Sequence, residues 1–331
     1  MWQGLLVCIV LTAAGVGLAE LPPLAGSGVS PLVVALLLGI LVGNLPVSRR
    51  LTDTAAGLKF ATRWLLRGGI VLFGLSLTLQ QIMALGPKVL LLDILIISSV
   101  LVSGYFIGTR LLGMDRETTL LTSAGSAICG AAAVLATEST IRARPAATAM
   151  AVATVVLFGS LAMLIYPLLY PLMGMDEGLF GVYIGATVHE VAQVVAAGEA
   201  VGPDALANAV IVKLVRVMLL VPFLLIVGQW WLRRGDGAAE TDTKGGLVIP
   251  WFAFGFMAMV VFNSFIVLPA VLHDGLVLAG QLALTMAMAA LGYETRLERL
   301  RSLGLRPFIL ALILFALLLG GGGLASQWLM G

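Results

Sequence analysis

Long apolar runs separated by short charged loops organise this chain. A bilayer span takes about 20 apolar residues. Runs of that order occupy Trp2–Ala19, residues 29–45, a third segment ending near Met83 ahead of Gly86-Pro87, and residues 89–112, 146–173, 205–232, 250–268, 275–292 and 307–329. No Lys or Arg precedes the first run, so it reads as a span rather than a cleaved leader. Two further apolar pieces differ from these. Residues 120–137 are short and dense in small side chains between Ser123 and Ala133, and residues 179–198 carry His189, Glu190 and Gln193 in their middle.

Loop charge assigns sides. Cytoplasmic loops collect Lys and Arg. That places Arg49/Arg50, Arg110/Arg116, Arg142/Arg144, Arg233/Arg234 and the stretch Arg296 to Arg306 inside, and Glu20, Asp176/Glu177, Glu199/Asp204 and His273/Asp274 outside, with a cytoplasmic N-terminus. Strict alternation fails twice. Residues 120–137 have basic loops on both sides, and residues 179–198 have acidic ones. The economical expectation is nine full spans plus two re-entrant hairpins from opposite faces. Eleven ordinary spans is the plainer alternative. Irregular backbone at depth is tolerated only where protein or a wet cavity covers it.

Composition fixes the class. The chain is 60% hydrophobic and 11% charged, against about 25% charged in soluble domains. It is expected to be an all-α polytopic membrane protein of about 9–11 transmembrane segments. Cys8 and Cys129 both lie in apolar runs, with no spacing that suggests a disulfide framework or a zinc site. No Walker loop and no G-x-G-x-x-G after a strand occurs, so no ATP engine and no cofactor is expected. Internal matches add an architecture. Gly74, Leu79, Ile82, Leu85 and Gly86 match Gly292, Leu297, Leu300, Leu303 and Gly304 at an offset of 218. Gly125, Ala132 and Val134 match Gly185, Ala192 and Val194 at an offset of 60, and Ala147 and Ala149 match Ala207 and Ala209. Residues 1–331 therefore read as one transporter domain. Its repeat-related elements would be 58–112 with 276–329, and 119–173 with 179–232, inverted under the charge-derived orientation. Inverted repeats with broken helices meeting at the midplane are a secondary-transporter design.

Three constellations could carry chemistry. In the first, Gly125 and Gly130 loosen a helix beside Ser126 and Cys129. A break there would turn backbone N–H groups and a positive dipole end towards an anion. Small-residue helix packing is the alternative. In the second, a helix would put His189 and Gln193 on one face and Glu190 about 100° away. Gln193 stands where a metalloprotease needs a second His, so zinc hydrolysis is disfavoured. Substrate hydrogen bonding, with Thr187 included, and proton carriage remain, against a structural pair at a hairpin tip. In the third, Lys213 and Arg216 lie about 12–18 Å into a helix starting near Asp204. Such residues at bilayer depth are costly, about 2.5–3.5 kcal/mol each. They either neutralise Glu190 and Asp93 or bind an anionic substrate. Asp93 sits little more than one turn into its span, within reach of the interface. Asn263 and Gln281 read as helix glue.

At these same places the chain resembles a known family. Leu66-Leu-Arg-Gly-Gly-Ile-Val-Leu-Phe-Gly-Leu-Ser-Leu77, Gly125-Ser-Ala-Ile-Cys-Gly-Ala-Ala-Ala133, His189-Glu-Val-Ala-Gln193 and Lys213-Leu-Val-Arg216 are similar to the bacterial YeiH-type family. That family is also labelled UPF0324 and sulfate exporter. The resemblance covers nearly the whole chain. It implies a multi-pass bacterial inner-membrane protein grouped with bile-acid/sodium-symporter-like transporters, in which paired broken helices cross at the centre. The expected function is export of a small anion, sulfate or sulfite first. Ser126, Cys129, Gly130, Thr187, His189, Glu190, Gln193, Lys213 and Arg216 would form the site, and His189, Glu190 or Asp93 would couple H+ or Na+. A cation/proton antiporter using Glu190 and Asp93 is the rival. An intramembrane enzyme pairing Cys129 with His189 ranks below it, and the chain is expected not to be an enzyme. The expected partners are the anionic substrate, the bilayer and the coupling ion. Homodimer formation is left open, and no nucleic acid is expected.

Overall fold

Buried in lipid, a backbone must satisfy its own N–H and C=O groups, and helices do so within one segment. Accordingly every regular element in the computed structural model is helical, over the described residues 1–21, 31–46, 48, 53–233, 251–295 and 304–331. In chain order these are α1 Trp2–Ala19, α2 Pro31–Asn44, α3 Ala55–Phe60, a π-turn Ala61–Leu65, α4 Leu66–Phe73 ending in a 3₁₀ turn Gly74–Ser76, and α5 Leu79–Leu85. There follow α6 Lys88–Phe106 with a π-turn Ile107–Leu111, α7 Arg116–Ala127, α8 Ala131–Ile141, α9 Pro145–Met173, α10 Glu177–Thr187 and α11 Val191–Glu199. The last are α12 Pro203–Met218, α13 Leu220–Arg233, α14 Trp251–Phe265, α15 Ala270–Glu294 and α16 Leu305–Met330. Arg49, Arg50, Arg234, Arg296 and the repeat positions Leu297, Leu300 and Leu303 lie outside the described residues.

Among the described residues six segments are long and apolar enough to span: Trp2–Ala19, Lys88–Leu111, Pro145–Met173, Pro203–Arg233, Ala270–Glu294 and Leu305–Met330. The pair Ala55–Ser76 and Leu79–Leu85, bent by 92°, makes a seventh if counted as one span. Two other expected spans appear as shorter apolar helices, α2 of 14 residues and α14 of 15.

The described residues fall into two compact units, each assembled from separated stretches of chain. The first comprises Met1–Gly86, Val195–Ala207 and Trp251–Glu298. Its core is small and tight: Cys8, Leu11, Ala35, Leu58, Ala61, Ala289, Ala290 and Tyr293 cluster as buried residues. Cys8 is thus a packing residue. Helices α2 and α15 meet backbone to backbone, since a Cβ on Gly39 would lie 3.1 Å from the Gly292 Cα. Small residues allow that approach, which dispersion then stabilises. The bend between the 3₁₀ turn and α5 has local causes. Leu77 and Thr78 are extended, and Thr78 with Gln81 forms a capping box that starts α5. The Leu77 carbonyl accepts from Asn263 Nδ2 at 3.0 Å, and the Leu79 N–H donates to Ser264 Oγ at 2.7 Å. Asn263 is therefore the glue its sequence position suggested.

The second unit comprises Pro87–Val194, Asn208–Pro250 and Arg299–Gly331. Aromatic packing ties its long helices: Phe158 of α9 lies 5.4 Å from Phe308 and 5.6 Å from Phe315 of α16, ring centre to ring centre. Tyr183 of α10 donates to the Leu319 carbonyl at 2.6 Å. Helix α7 starts at Asp115, whose carboxylate accepts from the Thr118 N–H at 2.9 Å. Arg144, just ahead of Pro145 at the start of α9, bonds both Asp115 and Glu117 at 2.9 Å. Burial pushes the Asp115 carboxyl up, but the Thr118 amide and hydroxyl and the Arg144 guanidinium outweigh it and hold its pKa below the ordinary value.

Candidate functional site

The second unit contains two helix breaks, and they are alike. Residues 128–130 separate α7 from α8, and residues 188–190 separate α10 from α11, 60 residues further on. At the first break Ile128 leaves helical geometry and Gly130 takes φ +67°, where a side chain is strained. Gly130 N–H returns to the Gly125 carbonyl at 2.9 Å. A Cβ on Gly125 would lie 2.6 Å from Val134, whereas a continuous helix would separate those positions by about 13 Å along its axis. The chain therefore turns back on itself there, as a re-entrant element does. At the second break Val188 is extended (φ −71°, ψ 142°). His189 and Glu190 consequently sit off the helix, at the turn that a hairpin tip in this stretch implies.

Each break exposes carbonyls where a half-helix ends, and two cations meet them. Lys213 Nζ donates to the Ile128 carbonyl at 2.7 Å and to the Val188 carbonyl at 2.8 Å. Those two acceptors occupy the same place in the two breaks. Arg216 Nε donates to the Ala127 carbonyl at 2.8 Å, its Nη2 donates to the same oxygen, and its Nη1 donates to the Ala186 carbonyl. Both side chains are 0% exposed. The negative end of each half-helix dipole favours a cation. Hydrogen bonds to a charged group contribute about 1.5–3 kcal/mol each, which offsets the desolvation of Lys and Arg. Of the two alternatives the sequence left open, neutralisation by Glu190 and Asp93 has no counterpart among the ion pairs of the described residues, none of which includes Lys213 or Arg216.

The carboxylates have other surroundings. Glu190 Oε1 accepts from the Ala131 N–H at 3.2 Å, so a side chain of the second break caps the helix that follows the first. A Cβ on Gly130 would collide with Glu190 Cγ, which is a second reason for glycine there. The Glu190 N–H in turn donates to Gln193 Oε1 at 3.0 Å. These contacts use two of the backbone donors that the sequence reading offered to an anion. Asp93 does not reach the interface. It is 0% exposed, packed inside the unit by its place on the inner face of α6, and it feels the charges of Arg216 and Lys213.

Several buried polar atoms at or near the breaks have no hydrogen-bond partner among the described residues: Ser126 Oγ, His189 Nδ1, Gln193 Nε2 and both Asp93 carboxylate oxygens. Thr187 is taken, its hydroxyl donating to the Tyr183 carbonyl. Cys129 is a free buried thiol, and no hydrogen bond joins it to His189 among the described residues. The structure thus brings Lys213, Arg216, Glu190, Gln193 and both breaks into one bonded network. Sequence reasoning did not single out three further buried polar residues of the same unit. Tyr166 stacks on Tyr183 at 4.8 Å within range of Thr187. Buried Thr122 and Ser160 have unpartnered hydroxyls. The run Thr118-Thr-Leu-Leu-Thr-Ser123, polar yet buried throughout, was the signal for Thr122.

Helices alone, several long enough to span, with two breaks held in one unit's interior, define an all-α polytopic membrane protein. The family model described as conserved hypothetical protein 698 matches residues 3–311. The chain belongs to the UPF0324 membrane protein family and is a multi-pass inner-membrane protein. It is 46% identical to a UPF0324 membrane protein of Pseudomonas aeruginosa over 98% of this chain and 93% of that one. It is 45% identical to a UPF0324 membrane protein of Bordetella pertussis (97% and 92%). With the UPF0324 inner membrane protein YeiH of Escherichia coli K12 it shares 44% identity (97% and 92%). No solved structure matches the chain.

Proposed function

We propose that the chain is a secondary transporter that exports a small anion, sulfate or sulfite first, through a site at the two breaks. One observation carries this reading: among the described residues Lys213 and Arg216 are fully buried without a carboxylate partner, beside the unpartnered atoms Ser126 Oγ, His189 Nδ1 and Gln193 Nε2. Lys213 has three N–H groups and two carbonyl acceptors, so one donor remains for a ligand. Cys129, Gly130, Thr187 and Glu190 complete the site's lining. Inverted repeats are supported by the breaks at a 60-residue spacing, and by helix ends at Ser76 and Glu294, 218 residues apart. Alternating access would follow from movement of one repeat bundle against the other.

Flux of labelled sulfate and sulfite into proteoliposomes tests the reading. Arg216→Ala is expected to abolish flux. Ser126→Ala, which removes a hydroxyl that makes no bond, is expected to weaken it with the unfolding midpoint unchanged. Intact flux in both variants sinks the anion site. A second reading has its own observation: the Asp93 carboxylate, buried without a hydrogen-bond partner, suits a carrier of H+ or Na+. If flux follows sodium or protons and only Glu190→Gln or Asp93→Asn stops it, the cation antiporter is the better account.

A further inference from the structure

Away from the breaks, the second unit carries an open groove of about 690 Å³ formed by α6 with its π-turn, α7 and α13. Its walls are apolar, and Val102, Phe106 and Ile226 stand exposed along it. Its other end is different. Tyr105 and Trp230 meet edge to face at 5.3 Å, an aromatic pair of the kind that settles at headgroup level. Beyond them, Arg110 and Arg116 line the rim, both exposed. Arg110 emerges from the π-turn, a geometry frequent at functional sites. The acidic residues nearest in sequence, Asp115 and Glu117, are bonded to Arg144. Arg306 reaches the Gly113 carbonyl at 3.4 Å, adding another positive charge beside the same loop. Among the described residues that line the groove there are two arginines and no carboxylate, above apolar walls.

We propose that this groove binds a phospholipid with an anionic headgroup, its phosphate at Arg110 and Arg116 and one acyl chain along Val102, Phe106 and Ile226. Charge complementarity names the occupant, because basic pockets at the cytoplasmic ends of membrane helices select anionic headgroups. The loop holding Arg110 and Arg116 is one that the positive-inside rule places on that side. Neither arginine belongs to the network at the breaks, so the inference stands apart from the transport reading.

Native mass spectrometry of the full-length protein in mild detergent is the test, with phosphatidylglycerol, phosphatidylcholine of the same chains, or inorganic phosphate added. Phosphatidylglycerol should remain bound where phosphatidylcholine is lost. Each charge near the surface is worth about fivefold in lipid affinity, so Arg110→Glu should weaken retention about 25-fold and Arg110→Lys should preserve it. Ile226→Trp should lower retention by filling the slot with every charge intact, and it decides the matter if Arg110→Glu does not fold. Equal retention of both lipids, or no loss in either Arg110→Glu or Ile226→Trp, overturns the site. Displacement of phosphatidylglycerol by inorganic phosphate alone would overturn it too, in favour of a soluble-anion site.

Discussion

Both units interrupt a helix, and they satisfy the interruption by opposite means. At Leu77–Thr78 in the first unit, a carboxamide, a hydroxyl and a capping box, none of them charged, meet the freed backbone groups, with the His273 imidazole 3.2 Å from the Leu75 carbonyl beside them. At residues 128–130 and 188–190 in the second unit, a lysine and an arginine meet them, fully buried and shared between the two breaks. Neutral caps suffice to bend a helix. Placing two cations at depth is expensive by comparison, and the same groups leave donors uncommitted. The first arrangement reads as structure alone, and the second as structure that can also hold a ligand.

That contrast can be broken experimentally. The largest effect is expected for Lys213→Met or Arg216→Met. Each strands two buried carbonyls, at about 1–3 kcal/mol per group, so thermal unfolding in detergent should move down by the widest margin and anion flux should vanish. Next comes Gly130→Ala, which meets Glu190 Cγ and sits at positive φ. A loss of about 1–3 kcal/mol is expected, with flux impaired; unchanged flux would show that the Glu190 contact is dispensable. Asn263→Ala at the neutral bend should lose about 0.5–1.5 kcal/mol and keep its flux. Abolished flux there would erase the distinction between the two regions.

The smallest effect belongs to the surface clamp of Arg144 on Asp115 and Glu117. Because the folded state lowers the Asp115 pKa, its stabilising contribution is present at neutral pH and is lost as pH falls through that lowered value. An unfolding midpoint measured against pH should show Arg144→Ala slightly less stable near neutrality. The gap should close in acid.

Much of this was readable from residue order. The first helix spans Trp2–Ala19 as its apolar run implied, and Lys213 and Arg216 stood out because charge at that depth demands a partner. Their partner was not readable. Carbonyls of Ala127, Ile128, Ala186 and Val188 have no side-chain signature, so the sequence offered only Glu190 and Asp93, or a bound anion, as counterparts. The second break was legible from its surroundings, because acidic loops flank residues 179–198 and His189, Glu190 and Gln193 sit in their middle, although Val188-His-Glu190 contains neither Gly nor Pro. Asp93 was misplaced because depth along a span does not tell which side of the helix meets protein. The neutral bend was legible in principle: Thr78 followed by Gln81 is a capping-box spacing.

The shared cations also impose a mechanical condition. Lys213 and Arg216 each grip one carbonyl from either side, and Glu190 reaches across to Ala131. Pulling the two breaks apart would strand at least one acceptor for each cation, and the Ala131 donor with them. The two half-helix ends are thus cross-linked through the same two side chains, and a displacement of one loads the other.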